Sequence, residues 1–282
     1  LLADRNPNWH MILNEFLSEE SWSKTLQPIV EKIINGIALD QTDGVELFNT
    51  PNLFELGRLA HLHKLAMFGN RAYFNSNVHV NQTNICVLAC RFCAFRRGKK
   101  AEDAYALTID NYLDELSKFS AFVNEVHSVG GLHPEWTVEH YSQLFERIRR
   151  EHPHISIKAL TAVEVKHLAQ LSNLSIIDTL SILQQSGLTS LPGGGAEILD
   201  DDVRAIICNG KESSQEYLDI HRAAHLIGLP SNCTMLFGTI ETVEQRVDHI
   251  LKLRDLATET NGFQCFVPCL LYTSDAADES RG

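Results

Sequence analysis

Short apolar runs alternate with amphipathic stretches along most of this chain. Residues 77–81 alternate polar and apolar side chains with a period of two, which is typical of a half-buried strand. Helical and strand patterns then follow one another in a regular cycle. The cycle predicts six strands, at 77–81, 121–129, 156–160, 188–191, 232–236 and 262–267.

Polar residues before the helical patterns predict where the helices begin. Thr50 followed by Pro51 is a favourable helix start, and helical spacing covers residues 52–67. Gly187 is typical of a residue just past a helix end. Further helix starts are predicted at Thr108, Thr137, Thr161, Ser175 and Ser214.

Strands and helices that alternate with short connections indicate an α/β protein with a parallel sheet. Six strands suit a TIM-type (β/α) barrel better than a small doubly wound sheet. We expect residues 1–74 to form an N-terminal helical extension and residues 75–268 to form the barrel core. Two strands are missing from eight, so we expect a barrel truncated before its last strands. Residues 269–282 show neither periodicity, and we expect them to be a non-native tail.

Composition and charge narrow the possible partners. The 282 residues are 44% hydrophobic and carry 24 basic and 36 acidic side chains, a formal net charge of -12. This acidity argues against nonspecific nucleic-acid binding, which needs Lys and Arg to neutralise phosphates. No apolar run is long enough to span a bilayer, and the first ten residues lack a signal-peptide core. We therefore expect a cytoplasmic protein with neither nucleic acid nor membrane as a partner.

Three of the seven cysteines lie within eight residues, at Cys86, Cys90 and Cys93. Three thiolates at this CxxxCxxC spacing can ligate three irons of a [4Fe-4S] cluster and leave the fourth iron open. The open iron could chelate the amino and carboxylate groups of S-adenosylmethionine. A zinc site is the alternative, with His79 as a possible fourth ligand, although the chain has no second CxxC pair.

Glycines and polar side chains follow the later strands. Gly130 and Gly131 come after the second predicted strand, where they let a polar ligand approach the backbone. His133, just beyond them, either contacts substrate or is an ordinary polar loop residue. Glu164 follows the third strand and is either a cofactor contact or a carboxylate favoured in the first turn of a helix.

The fourth strand leads into a loop of three glycines at residues 193–195, which predicts a flexible and closely approachable backbone. Glu197 follows it, and either bonds a ribose or substrate hydroxyl or sits in a helix first turn. The cysteine loop is surrounded by cations that either compensate cluster charge or dock an acidic electron donor: Arg91, Arg96, Arg97, Lys99 and Lys100.

From about residue 75 to residue 268 the chain resembles the radical S-adenosylmethionine (SAM) enzymes of the futalosine pathway of menaquinone synthesis. Aminofutalosine synthases are the most similar group, with dehypoxanthine futalosine cyclase and F420-precursor synthase as relatives. Thr239 stands where this family usually has His. The resemblance is carried by residues 77–93, 129–134, 158–164, 191–198, 241–249 and 262–268.

The resemblance implies that the 5′-deoxyadenosyl radical adds to 3-[(1-carboxyvinyl)oxy]benzoate and yields 6-amino-6-deoxyfutalosine, with SAM consumed as a co-substrate. It implies that Phe92 lies against adenine and that Gly130 and Gly131 contact SAM, with Glu164 as a further cofactor contact. Glu197 and His133 are the expected catalytic residues, and reduced flavodoxin or ferredoxin is the expected electron donor. The alternatives are a radical SAM cyclase and a non-catalytic zinc-binding protein.

Overall fold

A computed structural model describes residues 4–271, which form eleven helices and six strands. The strands are β1 (Asn77–His79), β2 (Glu125–Ser128), β3 (Ser156–Ala159), β4 (Leu188–Ser190), β5 (Ser231–Phe237) and β6 (Phe263–Leu270). The helices are α1 (Trp9–Ser18), α2 (Gln27–Ile34), α3 (Gln41–Asn49), α4 (Leu53–Phe68), α5 (Ile109–Ser117), α6 (Val138–Glu151), α7 (Ala162–Ser172), α8 (Ile176–Ser186), α9 (Asp201–Ile207), α10 (Ser214–Leu226) and α11 (Val243–Thr260). Within this part of the chain, no helix combines the length and apolar character that crossing a membrane requires.

The chain forms two compact units. The first holds the described residues up to Phe74 together with Thr242–Leu251, a segment that lies inside the predicted barrel range. Helices α1, α2 and α4 form a small apolar cluster of Leu13, Leu17, Val30, Leu59 and Ala66. The second unit begins at Asn75, runs to Glu241 and resumes at Lys252.

The second unit contains all six strands, and every strand pair is parallel, as predicted. One sheet has the order β1-β2-β3-β4, and β5 pairs with β6 in a second. An isolated parallel bridge between Leu191 and Ser231 joins the segments that end β4 and begin β5. The α/β prediction is therefore confirmed, with the strand order of successive βαβ units.

The main core lies between the sheet and its helices. Val126 and Ile157 project from β2 and β3 and are fully buried. Helix α6 packs onto them with an apolar stripe at helical spacing, formed by Tyr141, Leu144, Phe145 and Ile148. Burying one such large apolar side chain contributes about 1.5–3 kcal/mol, so this stripe fixes α6 on the sheet.

Several predicted boundaries shift in the structure. The helix start at Thr50 and Pro51 is wrong, because α4 begins at Leu53 and its cap is Asn52, whose side chain accepts a hydrogen bond from the Glu55 backbone amide. Thr50 instead ends α3 in an extended conformation. Proline disfavours helical geometry in the residue before it, which explains the break.

Helix α10 begins at Ser214, as predicted, and Ser213 caps it, because the Ser213 hydroxyl accepts a hydrogen bond from the Glu216 amide at 3.2 Å. One further boundary differs. Strand β6 runs through Cys269 to Leu270, two residues into the segment that we expected to be a tail. The remainder of that expectation, residues 272–282, lies outside the described residues.

A buried histidine pair predicts acid sensitivity. His221 is fully buried against Tyr217, Phe263 and His225, and its Nδ1 bonds the Ser231 hydroxyl at 2.8 Å. Burial lowers the pKa of His221 to about 3. Below about pH 6.5 the unfolded chain therefore binds a proton at this histidine and the folded chain does not. The free energy of unfolding decreases as the pH falls through this range.

Substituting His221→Asn keeps a polar partner for Ser231 and removes the titrating ring. We expect the fall in unfolding free energy between about pH 6 and 4 to become shallower, by up to about 1.4 kcal/mol per pH unit. Urea unfolding at a series of pH values measures this slope, and an unchanged slope would contradict the assignment.

Candidate active site

The cysteine loop, residues 86–93, is fastened to the fold at both ends. The Val87 amide donates to the Leu132 carbonyl at 3.1 Å, next to the glycine pair that follows β2. The Arg91 amide donates to the Ile207 carbonyl at 2.9 Å, at the end of α9. All three thiols of the loop are half-buried, so the loop presents them from a fixed position.

The thiols fit an iron–sulfur cluster better than zinc. Within residues 4–271, no three His, Cys, Asp or Glu side chains converge as they would around one metal ion. Cysteines that ligate a cubane each bind a different iron and need not converge. His79, the fourth zinc ligand considered above, lies against His127, with ring centroids 4.4 Å apart and ring planes tilted by 38°. The zinc alternative therefore finds no ligand set in this part of the chain.

Gly130 and Gly131 allow close packing of the chain on itself. A side chain at Gly131 would place its Cβ 2.2 Å from the Ile85 carbonyl oxygen, and one at Gly130 would lie 3.0 Å from the Thr83 oxygen. The Gly131 amide also donates to the Thr83 carbonyl at 2.8 Å. The close approach that we predicted for a ligand is made here by the segment that leads into Cys86.

Glu164 is buried where three loops meet. Its Oε1 accepts hydrogen bonds from the Gly130 amide at 2.9 Å and from Gln82 Nε2 at 3.3 Å. Its Oε2 accepts from the amide and the hydroxyl of Thr161, each at 2.7 Å. Burial raises the pKa of Glu164 to about 7, while the donated hydrogen bonds oppose this increase. Four bonds use the acceptor capacity of the carboxylate within the chain itself.

His133 lies beside Glu164 rather than beside Glu197. It is buried, and it stacks on Trp136 with centroids 4.3 Å apart. Together with Gly131, Glu164 and Trp136 it lines a small cavity. Burial lowers the pKa of His133, which favours the neutral imidazole. The structure thus places the two predicted catalytic residues in different cavities.

The glycine loop after β4 is firmly packed, contrary to the flexibility that we predicted. Gly193 has a φ of +82°, and a Cβ there would lie 2.2 Å from the Asn232 carbonyl oxygen. Its own carbonyl accepts hydrogen bonds from Tyr217 Oη at 2.6 Å and from Thr234 Oγ1 at 2.9 Å. These contacts hold the loop against α10 and β5.

Glu197 ends this loop with a φ of 45°, a left-handed conformation that few non-glycine residues adopt. It lies before α9 rather than in its first turn, because the α9 cap is Asp200. Its carboxylate forms a buried ion pair with Lys211. Strained backbone is concentrated at functional sites, because surrounding contacts must hold it in place.

Phe92 and Glu197 line one cavity of about 580 Å³ that opens to solvent. The other lining side chains are largely apolar and come from β5, β6 and the residue after β6: Thr234, Met235, Leu236, Val267, Cys269 and Leu271. The structure therefore brings together a residue of the cysteine loop and the carboxylate after β4. Cys269, which we assigned to the tail, belongs to this cavity.

Lys211 is the important residue that the sequence did not reveal. Its ammonium group lies 5.6 Å from the centroid of the Phe92 ring and is paired with Glu197. It also acts electrostatically on Cys90: burial raises the pKa of that thiol to about 12, and Lys211 opposes the increase. Lys211 is thus the cation that connects the cysteine loop to the carboxylate of the cavity.

A second buried ion pair supports the same region. Arg204 donates to the Glu212 carbonyl from Nε at 3.0 Å and from Nη2 at 2.6 Å, and it also bonds the Gly195 carbonyl. Its guanidinium lies 3.3 Å from a Glu212 carboxylate oxygen. Neither residue stood out in the sequence, because α9 was not predicted.

The cations predicted around the cysteine loop are partly used within the chain. Arg97 pairs with Asp103 at 2.6 Å and also donates to the carbonyl of Ala94 at 2.6 Å. Lys99 pairs with Glu135 on the loop after β2. These pairs favour a structural role for part of the basic set.

Known proteins resemble this chain in sequence across the region that contains the site. The sequence profile of the radical SAM superfamily matches residues 80–253, which include the cysteine loop and Lys211. The chain is 39% identical to an aminodeoxyfutalosine synthase of Thermus thermophilus, over 86% of this chain and 66% of that protein. It is 40% identical to one from Streptomyces coelicolor, over 89% and 65% respectively. The chain thus spans just under two thirds of the length of these curated relatives.

Other relatives have different activities. A 5-amino-6-(D-ribitylamino)uracil–L-tyrosine 4-hydroxyphenyl transferase of Methanopyrus kandleri is 36% identical, over 89% of this chain and 67% of that protein. The crystal structure of methylornithine synthase is similar with a TM-score of 0.64 at 20% identity, covering 85% of this chain and 66% of that one. The hydrogenase maturase HydG of Carboxydothermus hydrogenoformans gives 0.68 at 18% identity, over 94% and 60%. At these low identities, the two structures show only that the fold is shared.

The packing at Gly131 can be tested by Gly131→Ala. The added Cβ would meet the Ile85 carbonyl at 2.2 Å, so the loop into Cys86 must move. We expect a loss of about 1–3 kcal/mol in unfolding free energy. Gly98→Ala is the matched control, because nothing lies within 4 Å of its added Cβ, and we expect a change within about 0.5 kcal/mol. Urea unfolding of both variants measures the two losses of unfolding free energy. Equal losses for Gly131→Ala and Gly98→Ala would contradict the close packing at Gly131.

Proposed function

The chain belongs to the radical SAM superfamily, and on this premise we propose that it acts as an aminodeoxyfutalosine synthase. It would add the 5′-deoxyadenosyl group of SAM to the double bond of 3-[(1-carboxyvinyl)oxy]benzoate. Rearrangement and loss of the vinyl carboxyl as CO2 or bicarbonate would then give 6-amino-6-deoxyfutalosine. The observation that supports this best is the fixed cysteine loop beside the cavity of Phe92 and Glu197. The 39% and 40% identities to synthases of that name favour this reaction within the superfamily.

In this proposal Cys86, Cys90 and Cys93 hold the [4Fe-4S] cluster. When bound, the cluster supplies the electron that cleaves SAM to methionine and the adenosyl radical that adds to the enol-ether double bond. The Leu88 amide already points at Cys86 Sγ at 3.4 Å. Hydrogen bonds to ligating sulfurs and nearby charge both adjust a cluster's potential, so Lys211 beside Cys90 would stabilise the reduced, more negative state.

Other side chains would position SAM and keep water away. Phe92 offers a flat apolar surface for adenine at the cavity wall. Glu197 accepts hydrogen bonds, as ribose hydroxyls require, and its pairing with Lys211 holds the carboxylate in place. Leu236 and Val267 add apolar lining to the cavity, which would limit contact of a radical with water.

Glu164 and Gly130 would act as positioning residues in this scheme. Their hydrogen bond fixes the loop after β2 against the start of the cysteine loop. His133 would contribute through its stack on Trp136, which shapes the neighbouring small cavity. The cavity of Phe92 and Glu197 would then supply the groups that touch the reactants.

Partners and compartment follow from the same chemistry. Reduced flavodoxin or ferredoxin would deliver the electron, and the exposed Arg91 and Lys100 near the loop would attract such an acidic protein. All seven cysteines are unpaired, which fits a reducing compartment such as the cytoplasm.

The tyrosine 4-hydroxyphenyl transferase reaction is the second candidate. It is favoured by the 36% identity to the Methanopyrus kandleri enzyme over two thirds of that protein. A futalosine-type cyclase, which abstracts hydrogen and closes a ring, is the third. The three reactions differ in where the adenosyl group ends, because only the synthase incorporates it into its main product.

The test is an anaerobic assay of the reconstituted protein with dithionite and SAM labelled in its adenosyl group. One assay contains the enol ether, one contains 5-amino-6-(D-ribitylamino)uracil with tyrosine, and one contains dehypoxanthine futalosine. We expect label in aminofutalosine from the first assay only, detected by mass spectrometry. Turnover in either of the other assays, with none in the first, would replace the proposal by the corresponding alternative.

The cluster ligands make a separate prediction. Replacing Cys86, Cys90 or Cys93 by Ser should remove the iron–sulfur absorption and the bound iron after reconstitution, because a cubane needs all three thiolates here. Cys208→Ala is the matched control, since this buried thiol lies near Cys90 but outside the loop. We expect the control to retain its iron. Equal iron loss in all four variants would show that the effect reflects misfolding rather than ligation.

A further inference from the structure

Three nitrogen-bearing side chains lie next to one another on adjacent strands. His79 of β1 is in register with His127 of β2, and His127 is in register with Lys158 of β3. The two imidazole rings are 4.4 Å apart. Residues in register on parallel strands project from the same face of the sheet. His79, His127 and Lys158 therefore form a nitrogen row across three strands.

The nitrogen row lies on the face that the helices leave uncovered. The neighbouring strand residues Val78, Val126 and Ile157 pack into the core beneath the helices. Side chains alternate between the two faces of a strand, so the row projects to the other side. His79 is exposed, and the row is open to a ligand at that end.

The row carries more nitrogen donors than acidic partners. Glu125 lies on the same face, two residues before His127, and its carboxylate is 3.0 Å from Lys158 Nζ. About nine tenths of both side chains is buried. A buried ion pair contributes little net stability against well-packed apolar residues, so its presence on this face indicates a use other than stability. Burial lowers the pKa of His127 to about 4, which leaves a neutral imidazole with one N–H to donate.

Strand β6 connects the nitrogen row with the cavity of Phe92 and Glu197. The Cys265 thiol interacts electrostatically with Lys158 and Glu125, while Val267 and Cys269 line the cavity. Val267 and Cys269 alternate along β6 and share one face, and Cys265 precedes them beside the register shift between Phe263 and Phe266. Four residues of strand span about 13 Å, so a small aromatic molecule can reach from the row towards the cavity.

We propose that the nitrogen row binds a carboxylate of an aromatic substrate, with Lys158 supplying the charge and the two imidazoles supplying N–H donors. This inference rests on the proposed function for the identity of the substrate. The enol ether has two carboxylates, and the one on the ring is the one that fits the row, because the vinyl carboxylate is bonded to the double bond itself. A ring carboxylate held here would fix the far end of the substrate while its double bond faces the cavity.

The test measures equilibrium binding by calorimetry on the reconstituted protein with SAM and without reductant, so that no turnover occurs. The ligands are the enol ether, 3-(vinyloxy)benzoate, 2-phenoxyacrylate and the simple aryl carboxylate 3-hydroxybenzoate. We expect Lys158→Met to weaken binding of the enol ether by roughly 10- to 100-fold, the range for a hydrogen bond to a charged group. His127→Leu should weaken it less, because a neutral donor is lost.

The two analogues identify which carboxylate the row holds. The analogue that keeps the bound carboxylate should lose affinity in Lys158→Met, as the enol ether does. The analogue that lacks it should bind wild type and variant equally. Equal affinity of wild type and Lys158→Met for all four ligands would overturn the proposal.

Matched variants separate binding from folding. Glu125→Gln keeps Lys158 and removes its acidic partner, so we expect affinity for the carboxylates to stay or rise. The double variant Glu125→Gln with Lys158→Met removes both charges and leaves no unpaired ion, and it should still bind weakly. If Glu125→Gln weakens binding as much as Lys158→Met, the pair is only structural and the proposal fails.

The outcome is distinguishable from failure of the proposed function. If the wild type forms aminofutalosine and Lys158→Met binds the enol ether with unchanged affinity, the nitrogen-row proposal is wrong and the proposed function is supported. If the wild type forms no aminofutalosine but binds 3-hydroxybenzoate through Lys158, the proposed function is wrong and the nitrogen-row proposal is supported.

Discussion

The buried carboxylate of Glu164 holds the site together. It accepts hydrogen bonds from the ends of three separate segments, at Gln82, Gly130 and Thr161. These segments follow β1, β2 and β3, so one side chain fixes the relative positions of three strand ends. The position of Gly131 against Ile85, and with it the entry to the cysteine loop, depends on this arrangement. A carboxylate with no donors would be too costly to bury, which makes the three segments and Glu164 mutually dependent.

Two buried ion pairs extend this order around the cavity. Lys211 with Glu197 and Arg204 with Glu212 lie on the segments that follow β4. Such pairs rarely add net stability, because desolvation offsets their attraction. They do fix charged groups before any ligand arrives, which is what electrostatic stabilisation of a reaction requires. The left-handed backbone at Glu197 fits the same view, because firm packing of the loop at Gly193 must hold it.

The sequence predicted what depends on short-range spacing. The CxxxCxxC loop, the parallel α/β fold and the six strands follow from local patterns. Lys211 was not predicted, because its contacts with Phe92 and Glu197 arise only when distant segments meet in space. The packing at Gly131 was not predicted for a similar reason: a glycine shows that something approaches closely, and only the structure shows that Ile85 does so. The start at Thr50 failed because Asn52, two residues later, supplies the cap by accepting a hydrogen bond from the Glu55 amide.

Radical addition needs a substrate held by groups remote from the reacting carbon, because the radical itself offers little to orient it. Binding energy from such remote contacts can be used to place the double bond correctly. The nitrogen row on β1 to β3 and the cavity of Phe92 and Glu197 are connected along β6, where Cys265 lies near Lys158 and where Val267 and Cys269 line the cavity. The β1–β4 sheet would thus hold a carboxylate, and the cavity lined by β5 and β6 would face the double bond. The polar row and the apolar cavity wall are then two parts of one substrate path.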